Sequence, residues 1–401
     1  MRFVNFVILT IMKELPIYLD NNSTTPIDER VLEAMMPYLT SKFGNASSSH
    51  LFGVSVNKSV NEARVKVAEM IDCSENDIIF TSGATEAINL AIKGLIFNAN
   101  TQRKHIVISS TEHPAVLDTC QFLQRQGYEI NRLPVNPNGL LDLELLKGTV
   151  KSDTALVCIM LVNNETGIIQ PIKEISEIAH SNGALFMTDA TQGVGKIPIS
   201  VNKMGIDLMS FSAHKFYGPK GVGALYMRRK RPNKVRLESQ IHGGGHENGF
   251  RSGTLNVPGI IGIGAAAEIA LKEFELNSVK IRKLRDKLEH TFLQNPYNKL
   301  NGDAVSRIFS TSNICFEGVD ADAIMVGLKN IAVSNGSACS SFSVEPSHVL
   351  KAMSRTDAQA FSSIRFSLSR YNTMEEIEQT IKQVTKVVNQ LRQMSNREYL
   401  I

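Results

Sequence analysis

Two short stretches carry residue types that could do chemistry together. Asp189-Ala190-Thr191-Gln192 ends an apolar run, Ala184 to Thr188. Ser212-Ala213-His214-Lys215 ends the next run, Asp207 to Phe211, and Phe216-Tyr217-Gly218-Pro219-Lys220-Gly221 follows it. A lysine amine can condense with an aldehyde, and a carboxylate on the neighbouring strand end can keep a pyridinium nitrogen protonated. Those are the needs of a pyridoxal phosphate site, because the protonated ring then acts as an electron sink. Such a pair marks an enzyme acting on an amino acid and leaves open which bond it breaks.

Other segments supply the remaining parts of such a site. In Thr81-Ser82-Gly83-Ala84-Thr85-Glu86, Gly83 permits a tight turn, and Ala84 and Thr85 offer free N–H groups at a helix start. That is a phosphate cradle, although a plain capping box has the same pattern. Ser212 and His214 can donate to the same phosphate, and Thr254 in Arg251-Ser252-Gly253-Thr254 is a further donor. His113 follows a strand, where an imidazole can stack on the ring and move protons near neutral pH. A histidine that only caps the next helix is the competing reading. Asn164, in Asn163-Asn164-Glu165-Thr166-Gly167, could hold the ring oxygen or a substrate carboxylate, and Gln192 could donate to the ring hydroxyl. Arg365 suits bidentate binding of an α-carboxylate, with an ordinary ion pair as its alternative. The glycines of His242-Gly243-Gly244-Gly245-His246 favour a flexible loop over a zinc site, and no HExxH or P-loop pattern is present.

Cys339 stands apart from the other four cysteines. It sits in Ser334-Asn335-Gly336-Ser337-Ala338-Cys339-Ser340-Ser341, among small polar residues only. That is a poor place for a structural cysteine, which is normally buried, and a good one for a thiolate nucleophile that must travel. The five cysteines are scattered, odd in number and without a CxxC pair, so a reducing, cytoplasmic setting is expected.

The chain has 401 residues, 43% hydrophobic and 20% charged, with a net charge of +4. This bounds a soluble protein of two domains and gives no reason to expect nucleic acid or a membrane as partner. The basic run Arg228-Arg229-Lys230-Arg231 lacks interleaved aromatic residues and reads as a solvated loop. The apolar stretch Phe3 to Met12 is too short to span a bilayer. Met12 begins a more conventional start, so residues 1–11 read as a mis-called start, with 1–17 as an N-terminal segment.

Apolar runs at Ile78 to Thr81, His105 to Ser109, Ala155 to Val162, Ala184 to Thr188, Leu208 to Phe211 and Val222 to Met227 read as buried strands. Helical patterns fall between them at Glu86 to Phe97, Pro114 to Gln126 and Ile172 to Asn182. The alternation predicts an α/β fold with a mostly parallel sheet covered on both faces, its ligands outside the carboxyl ends of the strands. The texture changes near Gly264. A charged helix, Ala265 to Leu293, short strands and a C-terminal helix opened by the Thr373/Glu376 capping box make residues 265–401 a smaller α+β domain. Residues 18–264 form the large one.

Taken together these segments resemble the cysteine desulfurases, which are fold-type I pyridoxal phosphate enzymes of the class-V aminotransferase family. The resemblance runs from about Tyr18 to Arg370 and rests on YLDNNSTTP, TSGATEAINLAIKG, TEHPAVLD, VNNETG, TDATQ, SAHKFYGPKGVGALY, GGGHENGFRSGTLN, SNGSACSS and SSIRFSLSR. The cysteine loop is similar to that of the subclass serving iron–sulfur cluster assembly. The resemblance implies a seven-stranded large-domain sheet and a homodimer. It makes Lys215 the Schiff-base lysine, pairs Asp189 with the pyridinium nitrogen and Gln192 with the ring hydroxyl, and stacks His113 on the ring. It gives the phosphate to Ala84, Thr85, Ser212 and His214, with Thr254 from the second subunit, and the substrate carboxylate to Asn164 and Arg365. Cys339 is then the residue that takes sulfur from L-cysteine, leaving alanine and a persulfide. Its acceptors would be an iron–sulfur scaffold protein and other carriers, including those of tRNA thiolation. Some members also share an iron–sulfur cluster ligand through this cysteine, which makes Cys339 a metal candidate. Ser23 and Asn335 depart from the usual alanine and serine, and few residues follow Leu391, where some members have a longer tail for docking the scaffold. A selenocysteine lyase or other β-eliminating enzyme is the runner-up, and a non-catalytic platform for sulfur carriers is the alternative of another class.

Overall fold

The computed structural model describes residues 16–99, 101–230, 234–335 and 345–395. The first part of the chain holds β1 (Ile17–Tyr18), α1 (Glu29–Leu39), α2 (Leu51–Met70), β2 (Ile78–Thr81), α3 (Ala84–Phe97), β3 (His105–Ser109), α4 (Pro114–Arg125), β4 (Glu129–Leu133) and α5 (Leu143–Thr149). The middle holds β5 (Thr154–Cys158), α6 (Ile172–Ser181), β6 (Leu185–Asp189), β7 (Leu208–Ser212), β8 (Gly223–Met227) and α7 (Val257–Leu293). Then come β9 (Asn298–Leu300), β10 (Thr311–Phe316), α8 (Ala321–Gly327), β11 (Ile331–Ala332), α9 (His348–Ala352), α10 (Asp357–Phe361), β12 (Ser363–Ser367) and α11 (Met374–Ser395).

Seven strands form the central sheet in the order β2-β8-β7-β6-β5-β3-β4. Only the pairings of β8, with β2 and with β7, are antiparallel. Every residue of β3, β5, β7 and β8 is buried, because helices cover both faces of the sheet; this is why these strands read as continuous apolar runs. β4 is the exception. It lies at the sheet edge with only Leu133 buried, so its sequence, EINRL, carries no apolar run and gave no strand signal.

The helix expected to begin at Ala265 begins at Val257 instead and runs unbroken to Leu293. Its glycines are sites of close approach rather than breaks. A Cβ on Gly264 would sit 2.7 Å from the Cα of Ala63 on α2, and one on Gly262 2.7 Å from Met35 on α1. A division of the chain at 264/265 therefore falls inside one helix. α1 and α2 were not anticipated, yet α2 buries Gly53, Val56, Val60, Ala63 and Val67 at the three- and four-residue spacing of a packed helix face.

The C-terminal third builds an antiparallel sheet, β12-β10-β9. The beginning of the chain joins it: β1 pairs in parallel with β11, and Asp20 bridges to Ser367. α11 opens with the expected reciprocal capping box, Glu376 N–H to Thr373 Oγ1 and Thr373 N–H to the Glu376 carboxylate, both at 3.2 Å. It buries Ile377, Val384 and Val388. Among the described residues no helix is long and apolar enough to cross a membrane.

Candidate active site

The carboxyl ends of β2, β3, β5, β6 and β7 open on one edge of the central sheet, into a cavity of about 480 Å³. β8 runs the other way, so Gly223 at its start lies between Thr81 and Ser212. A Cβ on Gly223 would meet the Phe211 carbonyl oxygen at 2.5 Å and the Gly83 Cα at 2.7 Å. Glycine there lets the turn after β2 settle against the sheet. That turn leads into α3, whose N-terminus has no side-chain cap. Glu86 bends back to the Ser82 N–H at 2.8 Å and takes Arg251 at 2.9 Å. The first N–H groups of the helix thus face the cavity without an intrahelical acceptor, which is the arrangement that binds an anion.

Lys215 ends a single 3-10 turn, Ala213–Lys215, that follows β7. The residues after it are held firmly, because Tyr217 adopts a left-handed backbone (φ 68°) that only surrounding contacts can maintain. Its N–H donates to Thr25 Oγ1 at 2.8 Å, its carbonyl accepts from the Asp28 N–H at 3.0 Å, and the Arg370 guanidinium stacks 4.0 Å from its ring centre. The Lys215 ammonium donates to the carbonyls of Asn22 at 2.6 Å and Ser23 at 2.7 Å. The segment Asn21 to Asp28 is thus a strap across the lysine turn. Its residues form a recognisable sequence motif, YLDNNSTTP, but nothing local in that motif encodes the contact with Lys215.

Asp189 closes β6 and accepts from the Thr191 N–H at 2.9 Å. Gln192 donates to the Asn22 carbonyl at 2.8 Å. His113 caps α4, its Nδ1 accepting from the Ala115 N–H at 3.1 Å; the proton of the neutral ring therefore lies on Nε2. Burial, reinforced by Lys215 and opposed by Asp189, lowers the His113 pKa from its usual value, so the ring is neutral near pH 7. Burial also lowers His214 to about 4, with Lys215, Lys220 and Lys196 adding to the effect. A neutral His214 in a site with several cations is ready to take a proton when an anion arrives.

Arg365 reaches the cavity from the centre of β12. Its side chain is only 5% exposed. It donates to the Asn164 carbonyl at 2.9 Å, to Asp20 at 2.5 Å and to Ser23 Oγ at 2.8 Å. The C-terminal sheet thereby contributes a fixed guanidinium to a cavity otherwise built by the central sheet. Ala84, Thr85, His113, Asn164, Asp189, Gln192, Ser212, His214, Lys215 and Arg365 all line this cavity. Thr254 does not: it is exposed, on a loop tied to α3 by the Arg251–Glu86 ion pair.

Two buried ionisable residues near the cavity gave no sequence signal. Glu112 is fully buried; one carboxylate oxygen accepts from the Met160 N–H at 2.8 Å, and the other has no hydrogen-bond partner among the described residues. Burial, with Asp189 nearby, raises its pKa well above the usual range and so favours the protonated acid. Lys196, also buried, donates to Gln192 Oε1 at 2.9 Å. A glutamate and a lysine would ordinarily be assigned to the surface.

Cys339 lies outside the described residues. The segments on either side of 336–344 are tied to the cavity walls. Ser334 exchanges backbone hydrogen bonds with Arg365 at 2.7 and 3.3 Å, and Ser347 donates to the Glu165 carboxylate at 2.5 Å. Burial raises the other four thiols: Cys120 to about 12, Cys315 to about 11, Cys73 further still, and Cys158 well above its usual value. None of these four is a ready nucleophile. Among the described residues no cluster of His, Cys, Asp and Glu could hold a metal ion.

The aminotransferase class-V family model matches residues 17–380. The chain is 49% identical over 385 residues to the cysteine desulfurase IscS of Shewanella denitrificans, covering 95% of each chain. It is 50% identical over 382 residues to that of Methylobacillus flagellatus, covering 95% of this chain and 94% of the relative. The chain belongs to the cysteine desulfurases of the class-V aminotransferase family. Among solved structures, a NifS-like protein superposes with a TM-score of 0.87 at 38% identity, over 93% of this chain and 99% of that one. A structure described as SspA in complex with cysteine gives 0.78 at 35%, over 89% and 99%.

The cofactor of these enzymes is pyridoxal phosphate, and this cavity fits it. It has an uncapped helix N-terminus, Ser212 and a neutral His214 on its lining, together with the Asp189 carboxylate, the His113 imidazole and the Lys215 amine. The polar groups are those that a phosphate, a pyridinium nitrogen and an aldehyde each need.

Proposed function

We propose that the protein removes sulfur from L-cysteine, releases L-alanine and carries the sulfur as a persulfide on Cys339. The observation that supports this most is the meeting of Lys215, Asp189, His113 and Arg365 in one cavity, while burial suppresses every described thiol. Lys215 would hold the cofactor covalently, Asp189 would face its ring nitrogen and Gln192 its ring hydroxyl. Ala84, Thr85, Ser212 and His214 would hold its phosphate. When bound, the cofactor draws electron density from the substrate's α-carbon.

The chain's own residues do the rest. Arg365 and Asn164 fix the substrate carboxylate, which orients the sulfur toward the open side of the cavity. The released Lys215 amine takes the α-proton; the Asn22 and Ser23 carbonyls, which accept its hydrogen bonds, limit how far it swings. His113, neutral with its proton on Nε2, is the group that can return a proton. The Cys339 thiolate forms an S–S bond to the substrate sulfur as the Cβ–S bond breaks. The carbon skeleton keeps that electron pair, takes up a proton and leaves as alanine, so the exchange balances without an added oxidant.

Thr254 is exposed, outside the cavity. We assign it to the cofactor phosphate of a second copy, which makes the working unit a homodimer. The sulfur then passes to a scaffold protein for iron–sulfur assembly and to other thiol acceptors in the cytoplasm, and Cys339 is the residue that could share a cluster ligand position with such a scaffold. The test is to add L-cysteine to the holoprotein without reductant and follow alanine and intact mass. The expected result is one alanine and one added sulfur atom per chain, absent in Cys339→Ser. Sulfide release with no added mass on the wild-type chain would overturn the reading in favour of β-elimination.

A further inference from the structure

Lys196 is a buried cation that the chemistry above leaves without a task. It is 9% exposed and does not line the 480 Å³ cavity. It borders a separate void of about 30 Å³ with Asn21, Thr25 and Tyr217. Burying a lysine is costly unless its ammonium is used, and here Nζ donates to Gln192 Oε1 at 2.9 Å. Gln192 in turn donates from Nε2 to the Asn22 carbonyl at 2.8 Å, which also accepts from Lys215 at 2.6 Å.

This chain decides which way the Gln192 amide faces. With the amide reversed, its NH2 would meet the Lys196 ammonium, donor against donor, and its oxygen would meet the Asn22 carbonyl, acceptor against acceptor. The orientation observed puts one N–H of the NH2 on Asn22 and leaves a second N–H on a residue that lines the cavity. Asn22 is shared with Lys215, the residue that must move in turnover, so Lys196 is the partner that stays constant. An ammonium on the amide oxygen also polarises the amide and strengthens the N–H at its far end.

We propose that Lys196 is a positioning residue that orients and polarises Gln192 as the donor to the cofactor's ring oxygen. This rests on the reading that Gln192 contacts that oxygen. Burial, with Lys215 and Arg365 adding to it, lowers Lys196 to about 7. The folded chain therefore holds this proton less tightly than the unfolded chain, and the charge costs stability at and below neutral pH.

The test compares Lys196→Met, Gln192→Leu and the double variant with the wild-type holoprotein. The readouts are the dissociation constant of pyridoxal phosphate from reconstituted apoprotein, the cofactor's visible absorption and its pH midpoint, and thermal melting. In Lys196→Met the dissociation constant should rise roughly tenfold, equivalent to about 1.4 kcal/mol. The absorption midpoint should move in the direction seen in Gln192→Leu, the double variant should add nothing further, and melting should not fall. Unchanged affinity and absorption, or effects that add in the double variant, would overturn the proposal. If Gln192→Leu itself leaves the absorption unchanged, the Gln192 reading fails and takes the proposal with it. If the Met variant does not accumulate, Lys196→Gln takes its place under the same criteria.

Discussion

Replacing Arg365 with lysine separates charge from shape at the substrate carboxylate. The guanidinium is held on three sides, by the Asn164 carbonyl, Asp20 and Ser23 Oγ, so its plane is fixed, and a carboxylate gains a pair of its N–H groups by displacing Asp20 or Ser23 from Nη2. Lysine keeps the positive charge beside Asp20 and offers a single point of contact. The loss is one charge-assisted hydrogen bond of two, worth about 1.5–3 kcal/mol. At 1.4 kcal/mol per tenfold, that is roughly a 10- to 100-fold fall in kcat/KM. The carboxylate is bound alike before and during bond breaking, so the loss should appear in KM with kcat nearly unchanged. The assay is steady-state alanine formation at varied L-cysteine, with cofactor absorption as a check that the site is loaded. Cysteamine, which lacks the carboxylate, serves as the control ligand and should bind the two proteins alike. An unchanged KM for cysteine would refute the reasoning, and so would an equal loss of affinity for cysteamine.

Other outcomes follow from the same geometry. Gly223→Ala places a methyl group against Gly83 and the Phe211 carbonyl; displacing the turn before α3 should weaken pyridoxal phosphate binding by at least roughly tenfold, measured by titration of apoprotein. Asp207, fully buried, accepts from the Phe186 N–H at 2.8 Å and from His180 at 2.7 Å, and lies 3.0 Å from the Arg228 guanidinium. Asp207→Ala strands that cation and should cost about 3 kcal/mol in urea unfolding. His214, at about 4 when folded, sits below its unfolded value of about 6.5. As pH falls through that window the unfolded chain takes up the proton first, so stability present above about pH 6.5 is lost toward pH 4. Apoprotein melting between those limits should fall more steeply in the wild type than in His214→Gln.

Much of the central sheet was legible because its strands are buried on both faces and carry continuous apolar runs. The edge strand Glu129–Leu133 buries only Leu133 and gave none. The segment Leu51–Met70 carries a helical spacing of buried residues, and the charged texture after Gly264 marks only the second part of a helix that begins at Val257. Among the site residues, those directly after strands were found by position, since a parallel sheet brings every carboxyl end to one edge.

By itself the sequence determined the kind of chemistry. An aspartate and a lysine end neighbouring strands, a glycine turn starts a helix, and a lone thiol lies among small polar residues; each is a local pattern that holds wherever the segment ends up. What only the tertiary structure decided was proximity between distant segments and the removal of water. Asn22 meets Lys215 across 193 positions, Arg365 comes to the cavity from a second sheet, and Glu112 and Lys196 lose their solvent. Burial and long-range contact arise from how the elements pack against one another, and no local run of residues encodes them.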